Sequence, residues 1–139
     1  MSNNAHLDLQ TIEKGLRFAV SVGSGQSMVV DSGEGMQAPS PVELLLVSLA
    51  ACHAMDIISV LRKKRQDVTG YAVDAEGDRR TEHPRSFTHI RIVHRLRGRD
   101  LNPAAVEEAI RLTETKYCTV HFSIDPRIEI TNRFEIIPA

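Results

Sequence analysis

The stretch Ser40-Pro41-Val42-Glu43-Leu44-Leu45-Leu46-Val47-Ser48-Leu49-Ala50-Ala51-Cys52 continues through His53-Ala54-Met55-Asp56 to the basic run Arg62-Lys63-Lys64-Arg65, and it sets the architecture. Ser40, Pro41 and Glu43 spell a capping box. The hydroxyl and the carboxylate each accept one backbone N–H that the first helical turn leaves unpaired, and proline at the first position costs no hydrogen bond. The spacing predicts a helix from there to about Arg65. From Leu44 to Leu61 it is apolar on nearly every side, and it has the length of a membrane span. Ser48, His53, Asp56 and Ser59 interrupt it, however, and an aspartate at mid-span costs about 2.5–3.5 kcal/mol on insertion scales. The reading is a central core helix, covered by a sheet on one side and by another helix or chain on the other. Its polar exceptions are ordered: Ser48, Cys52, Asp56, Ser59 and Lys63 succeed one another at three or four residues and share one narrow stripe.

Outward from this helix the chain reads as hairpins. Leu16 to Val22 and Ser27 to Asp31 flank Gly23-Ser24-Gly25, two β-branched runs around a glycine turn. Thr69–Arg79 and Phe87–Arg97 alternate as a second hairpin, with Ile90, Ile92, His94 and Leu96 facing one way. Asn102-Pro103 repeats the cap-plus-proline start of a helix, whose inward face is Val106, Ala109, Ile110, Thr113 and Tyr117 and which ends near Cys118. A last strand, Arg127 to Ile137, alternates Ile128, Ile130, Asn132 and Phe134 with polar residues. The order β-β-α-β-β-α-β makes an α+β fold with an antiparallel sheet packed on a long helix. The chain is read as a single domain over residues 1–139, with residues 1–15 as a flexible or dimer-swapped arm.

The 139 residues suit about one domain, and 42% hydrophobic with 25% charged residues is ordinary for a globular chain. Seventeen Lys plus Arg against eighteen Asp plus Glu leave a net charge of −1, which points to neither nucleic acid nor an anionic membrane as partner. The first fifteen residues carry neither a basic start nor an apolar run, so a reducing, cytoplasmic setting is expected. There the two cysteines, Cys52 and Cys118, are inert buried thiols, metal ligands or a reactive pair.

Few other residues carry chemistry on spacing alone. Cys118 and His121 are spaced like ligands, but no CxxC or HxxxH accompanies them, so no metal is expected. His89 and His94 point to opposite faces of their strand. His53 sits about 100° round the helix from Cys52 and is a poor direct base for it. Glu43 is explained by the cap, and Asp56 as a carboxylate would raise a nearby thiol pKa. No nucleotide loop or nucleophile elbow occurs. What remains is one thiol on a core helix and a second at the end of the next. Such a pair suits a cycle in which one thiolate is oxidised to a sulfenic acid and the other condenses with it.

Two signatures then resemble a known family. Ser40 to Cys52 followed by a long helix resembles the central-helix signature of the OsmC/Ohr superfamily, the osmotically inducible protein C and organic hydroperoxide resistance proteins. Lys116-Tyr117-Cys118-Thr119-Val120 resembles its second signature, with Thr119 where proline is usual. The resemblance implies an intertwined homodimer. It also implies thiol-dependent reduction of organic hydroperoxides in oxidative stress defence, a peroxiredoxin-type oxidoreductase activity without a bound cofactor. Cys52 matches the peroxidatic cysteine and Cys118 the resolving one, with a lipoyl-type or other dithiol as reductant. Arg17 is the candidate for the family's activating arginine. Val42 stands where the peroxidases carry a glutamate, with Glu43 one step away. That departure supports an alternative reading, a dimer of the same fold that binds a small apolar or thiol-reactive ligand at its interface with little peroxidase activity.

Overall fold

The computed structural model describes residues 1–10, 15–33 and 35–139. It divides into two compact units, 1–45 and 46–139, with the division falling inside the long helix.

The first unit is a three-stranded antiparallel meander, β1 (Ala5–Leu9), β2 (Phe18–Val22) and β3 (Ser27–Val30). The expected β2–β3 hairpin is present. Its turn is closed by Gly25 N–H on Val22 O at 2.9 Å, and Gly25 adopts φ 99°, which a side chain would resist. β1 was not expected. Its five residues are all exposed and too few for a pattern to stand out, and it is held by backbone pairing to β2 from Ala5↔Val22 to Leu9↔Phe18. After β3 the chain turns through Asp31, which is 1% exposed, into the loop that precedes the long helix.

That helix, α1 (Pro41–Lys63), begins where the capping box predicts. Ser40 N–H donates to Glu43 Oε1 at 3.0 Å, and Glu43 N–H donates to Ser40 Oγ at 3.2 Å. It ends at a left-handed Arg65 (φ 56°), with Gln66 N–H reaching back to Leu61 O at 2.9 Å, the six-to-one bond of a Schellman stop. Leu49, His53, Ile57 and Leu61 form its buried stripe. Among the described residues it is the one helix long and apolar enough to cross a membrane. The buried stripe instead meets protein: Ile57 and Leu61 belong to the main apolar cluster, and His53 bonds to a strand.

The second unit carries β4 (Asp67–Arg79), β5 (Phe87–Arg99) and β6 (Glu129–Pro138) in the order β4-β5-β6. β4 and β5 form the expected long hairpin. β6 departs from the antiparallel expectation, since it runs parallel to β5 from His89↔Glu129 to Gly98↔Pro138. The physical reason is the connection. A tight turn can only return the chain antiparallel, whereas the helical segment after β5 is long enough to carry it back to the end where β5 began. Along β5 the residues Ile90, Ile92, His94 and Leu96 are all buried, as their alternation predicts. Leu96, Ile57 and Leu61 pack with Leu101, Val106 and Ala109 of the following segment, so α1 and α2 (Pro103–Leu112) cover one face of the sheet.

α2 starts on the predicted cap, with Asn102 Oδ1 accepting Ala104 N–H at 3.0 Å. It does not run unbroken to Cys118. A π-helical turn occupies Thr113–Tyr117, and a short helix α3 (Thr119–Ser123) follows, capped by Cys118. The wider turn shifts the helical phase, so Thr113 is buried as expected but Tyr117 is 46% exposed, against the inward placement its spacing predicted.

Candidate functional site

Two helices deliver three reactive groups to one point. Cys52 and Asp56 lie one turn apart on α1, so their side chains share a face. Cys118 arrives from the π-turn as the N-cap of α3, its Sγ accepting His121 N–H at 3.3 Å. The two sulfurs and a carboxylate oxygen of Asp56 all lie within 4.8 Å of one another. Among the described residues this is the one group of three or more His, Cys, Asp or Glu side chains whose donor atoms converge closely enough to hold a metal ion.

The three groups are not equivalent. Cys118 is wholly buried and Cys52 half-buried, so an incoming reagent reaches Cys52 first. Burial pushes the Cys118 thiol up, and the neighbouring Cys52 thiol and the charge of Asp56 push the same way, against the His121 N–H, which favours the thiolate. Burial also raises the Asp56 carboxyl, whose Oδ2 is shut from solvent without a hydrogen-bond partner.

Beside the thiols runs a polar chain, buried at its two central histidines, His53 and His94, and half-buried elsewhere. Asn132 on β6 is oriented by its amide, which donates to Glu114 Oε1 at 2.8 Å. Its Oδ1 is therefore an acceptor, shared by His94 Nε2 at 2.8 Å and His53 Nδ1 at 3.1 Å. Both nitrogens must carry protons, which fixes the two tautomers when the rings are neutral. Tyr71 then donates its hydroxyl proton to His94 Nδ1 at 2.7 Å, and His121 Nδ1 donates to His53 Nε2 at 3.0 Å. Neutrality follows from burial. His53 is pushed down to about 4, chiefly by burial, and His94 is lowered by the same cause. The chain thus ends on His121, the residue whose backbone N–H holds the Cys118 sulfur.

This network escaped the sequence reading, which assessed His53 and His94 only as bases or chelators. The signal was present. His94 interrupts the inward row Ile90, Ile92, Leu96, and Asn132 interrupts Ile128, Ile130, Phe134. A polar group in a buried row requires a partner, and two such rows on paired strands predict that they find each other.

The remaining candidates have other partners. Arg17 donates from Nε to Asp31 at 3.1 Å within the first unit. Glu43 is engaged in the capping box, and its hydrogen bonds from the Ser40 backbone and hydroxyl hold its carboxyl below the usual range. Val42 is half-buried in the first turn of α1. His89 bonds Thr131 on the strand face opposite His94, and Lys64 of the basic run pairs with Glu108 at 2.8 Å.

The fold, the capped central helix and the two converging cysteines define a protein class, and the sequence comparison agrees. The OsmC-like protein family model matches residues 33–133, and the chain belongs to that family. Among individual proteins it is similar to Protein YhfA of Escherichia coli K12, at 40% identity over 126 residues that span 91% of this chain and 94% of that one. A hypothetical protein from Aquifex aeolicus has the same fold, with a TM-score of 0.87, 26% identity, and coverage of 100% of this chain and 98% of that one. The organic hydroperoxide resistance protein OsmC of Legionella pneumophila matches with a TM-score of 0.65 over 97% of each chain; at 15% identity that likeness concerns the fold alone.

Proposed function

We propose that this OsmC-family protein reduces organic hydroperoxides through a two-cysteine cycle on Cys52 and Cys118. The observation that carries the reading is the convergence of the two thiols, 66 residues apart in sequence, within 4.8 Å and with unequal burial. The half-buried Cys52 thiolate attacks the peroxide oxygen, the O–O bond breaks and the alcohol leaves after taking up a proton. The resulting sulfenic acid stands beside Cys118. The Cys118 sulfur displaces its hydroxyl, water departs with the Cys118 proton, and a disulfide closes. A dithiol such as a lipoyl group then returns both cysteines to thiols. The buried, proton-retaining Cys118 suits the second step, because it stays out of reach until Cys52 has been oxidised.

The protein acts in the cytoplasm as a homodimer in this reading. Support for the dimer is that each unit exposes large apolar side chains: Leu7 and Leu9 on β1 in the first, and Val47 and Met55 on α1 and Phe122 on α3 in the second, are all more than half exposed. The alternative, a ligand-binding dimer with little turnover, is favoured by Val42 at the position of the family's carboxylate and by the capping role of Glu43.

Adding one equivalent of cumene hydroperoxide to reduced protein should consume both thiols and form an intramolecular disulfide. Cys118→Ser should stop at a Cys52 sulfenic acid trapped by dimedone, and Cys52→Ser should leave Cys118 unreacted. Hydroperoxide that leaves both thiols of the wild-type protein intact would sink the peroxidase reading.

A further inference from the structure

We propose that the reduced Cys52–Asp56–Cys118 cluster binds a single divalent metal ion of borderline-soft character, zinc by its donor set. Four observations bear on this, and none depends on hydroperoxide chemistry.

The first is geometry. Cys52 and Asp56 form an i,i+4 pair on a rigid helix, and the third donor comes from a separate element at the N-cap of α3. Two ligands on one helix face and a third from a distant segment make the usual plan of a three-ligand zinc site with its fourth position open. Bonds of about 2.3 Å to sulfur and about 2.0 Å to oxygen in a tetrahedron place donors about 3.4–3.8 Å apart. The cluster already lies within 4.8 Å, so closure requires side-chain adjustment on the order of an ångström.

The second is donor chemistry. Two thiolates and one carboxylate suit zinc and related ions, whereas magnesium and calcium prefer oxygen alone. The third is the orphaned oxygen, Asp56 Oδ2, a buried acceptor with no hydrogen-bond donor. A buried polar atom of this kind calls for a partner, and a metal ion bound to the carboxylate supplies one. The fourth lies outside the ligands: His121 N–H already points at the Cys118 sulfur at 3.3 Å, and behind it His53 fixes the His121 ring. Supporting hydrogen bonds of this type orient metal ligands and spread their charge.

Charge balance sets when the ion binds. Three anions within one small sphere repel strongly, and a divalent cation relieves that repulsion and displaces the protons its ligands carry. A disulfide between the same sulfurs removes both thiolate ligands, so metal binding and disulfide formation exclude each other.

Cobalt(II) is the direct probe. Titrated anaerobically into reduced, chelator-treated protein, it should give a thiolate-to-cobalt charge-transfer band and the intense visible bands of four-coordinate cobalt, saturating at one ion per chain. Zinc should erase these bands and magnesium should not. Cys118→Ser should lose the charge-transfer intensity of one sulfur, and the near-isosteric Asp56→Asn should weaken the ion at least about tenfold. One measurement needs no variant: stoichiometric zinc should slow the reaction of both wild-type thiols with a disulfide reagent. Unchanged thiol reactivity, no charge-transfer band, or a band identical in wild type and both variants would overturn the site. A negative result here leaves hydroperoxide consumption by the metal-free protein untouched, and an inactive peroxidase leaves the cobalt spectrum to stand or fall alone.

Discussion

Asp31, buried in the loop after β3, and Asp56, half-buried on α1 with one oxygen shut from solvent, are carboxylates of the same kind in very different surroundings. Asp31, in the loop after β3, accepts Gly33 N–H on Oδ1 at 3.1 Å, and on Oδ2 it accepts Arg17 Nε at 3.1 Å and Gln37 N–H at 3.3 Å. These donors hold its carboxyl below the usual range, the Gly33 bond foremost. Asp56, on α1, has one oxygen with no donor at all, and burial raises it. A carboxylate that ties a loop together uses its lone pairs on the protein. Asp56, beside two thiols, leaves one oxygen without a hydrogen-bond donor, the kind of buried acceptor that calls for an explanation. The same contrast separates Glu43, whose carboxylate is consumed by the helix cap, from a catalytic acid.

The contrast yields graded tests. The largest effect concerns the polar groups that are fully satisfied. His53 holds at about 4 against an ordinary 6.5, so between those values the unfolded chain binds a proton that the folded chain refuses. Stability therefore falls as pH drops from 6.5 towards 4, by up to about 3 kcal/mol from this residue, with His94 adding in the same direction. Denaturant unfolding at a series of pH values measures this, and a flat profile would mean the histidines are solvated.

Next comes Asp31→Asn, which removes the charge facing Arg17 and turns one acceptor into a donor. The melting temperature should fall by several degrees, and cleavage in the 31–39 loop by protease should quicken. Because the Asp31 carboxyl is lowered, its contribution is present above the ordinary 3.8 and is lost as pH falls below it, so wild type and variant should converge in acid. Ser40→Ala should cost about 1 kcal/mol by opening the capping box, read from the denaturation midpoint.

The smallest effect is expected at Asp56. Asp56→Asn in metal-free protein should leave the melting temperature unchanged or slightly raised, since a neutral amide is cheaper to bury than a carboxylate with an orphaned oxygen. A fall as large as that of Asp31→Asn would show that Asp56 has a structural partner and would erase the distinction.

Local rules made much of this fold readable in advance. The capping box located the start of α1 to the residue, Asn102-Pro103 did the same for α2, and the alternation along β5 named Ile90, Ile92, His94 and Leu96 as one buried row. Each rests on neighbours within a turn or a strand pair. The misses lie where neighbours in space are remote in sequence, or where a pattern is too short. β1 is five residues with no buried face. The parallel pairing of β6 depends on how far the intervening helices carry the chain.

The site divides along the same line. That Cys52 and Asp56 share a helix face follows from helical period alone, and that Cys118 ends a helix follows from the run before it. No spacing rule brings Cys118 across 66 residues to within 4.8 Å of them, or joins Tyr71, His94, Asn132, His53 and His121 into one chain of hydrogen bonds. Those approaches are set by the packing of α1 and α2 on the sheet. Packing sums many weak contacts, whereas a periodic pattern reports only which face each residue offers to them.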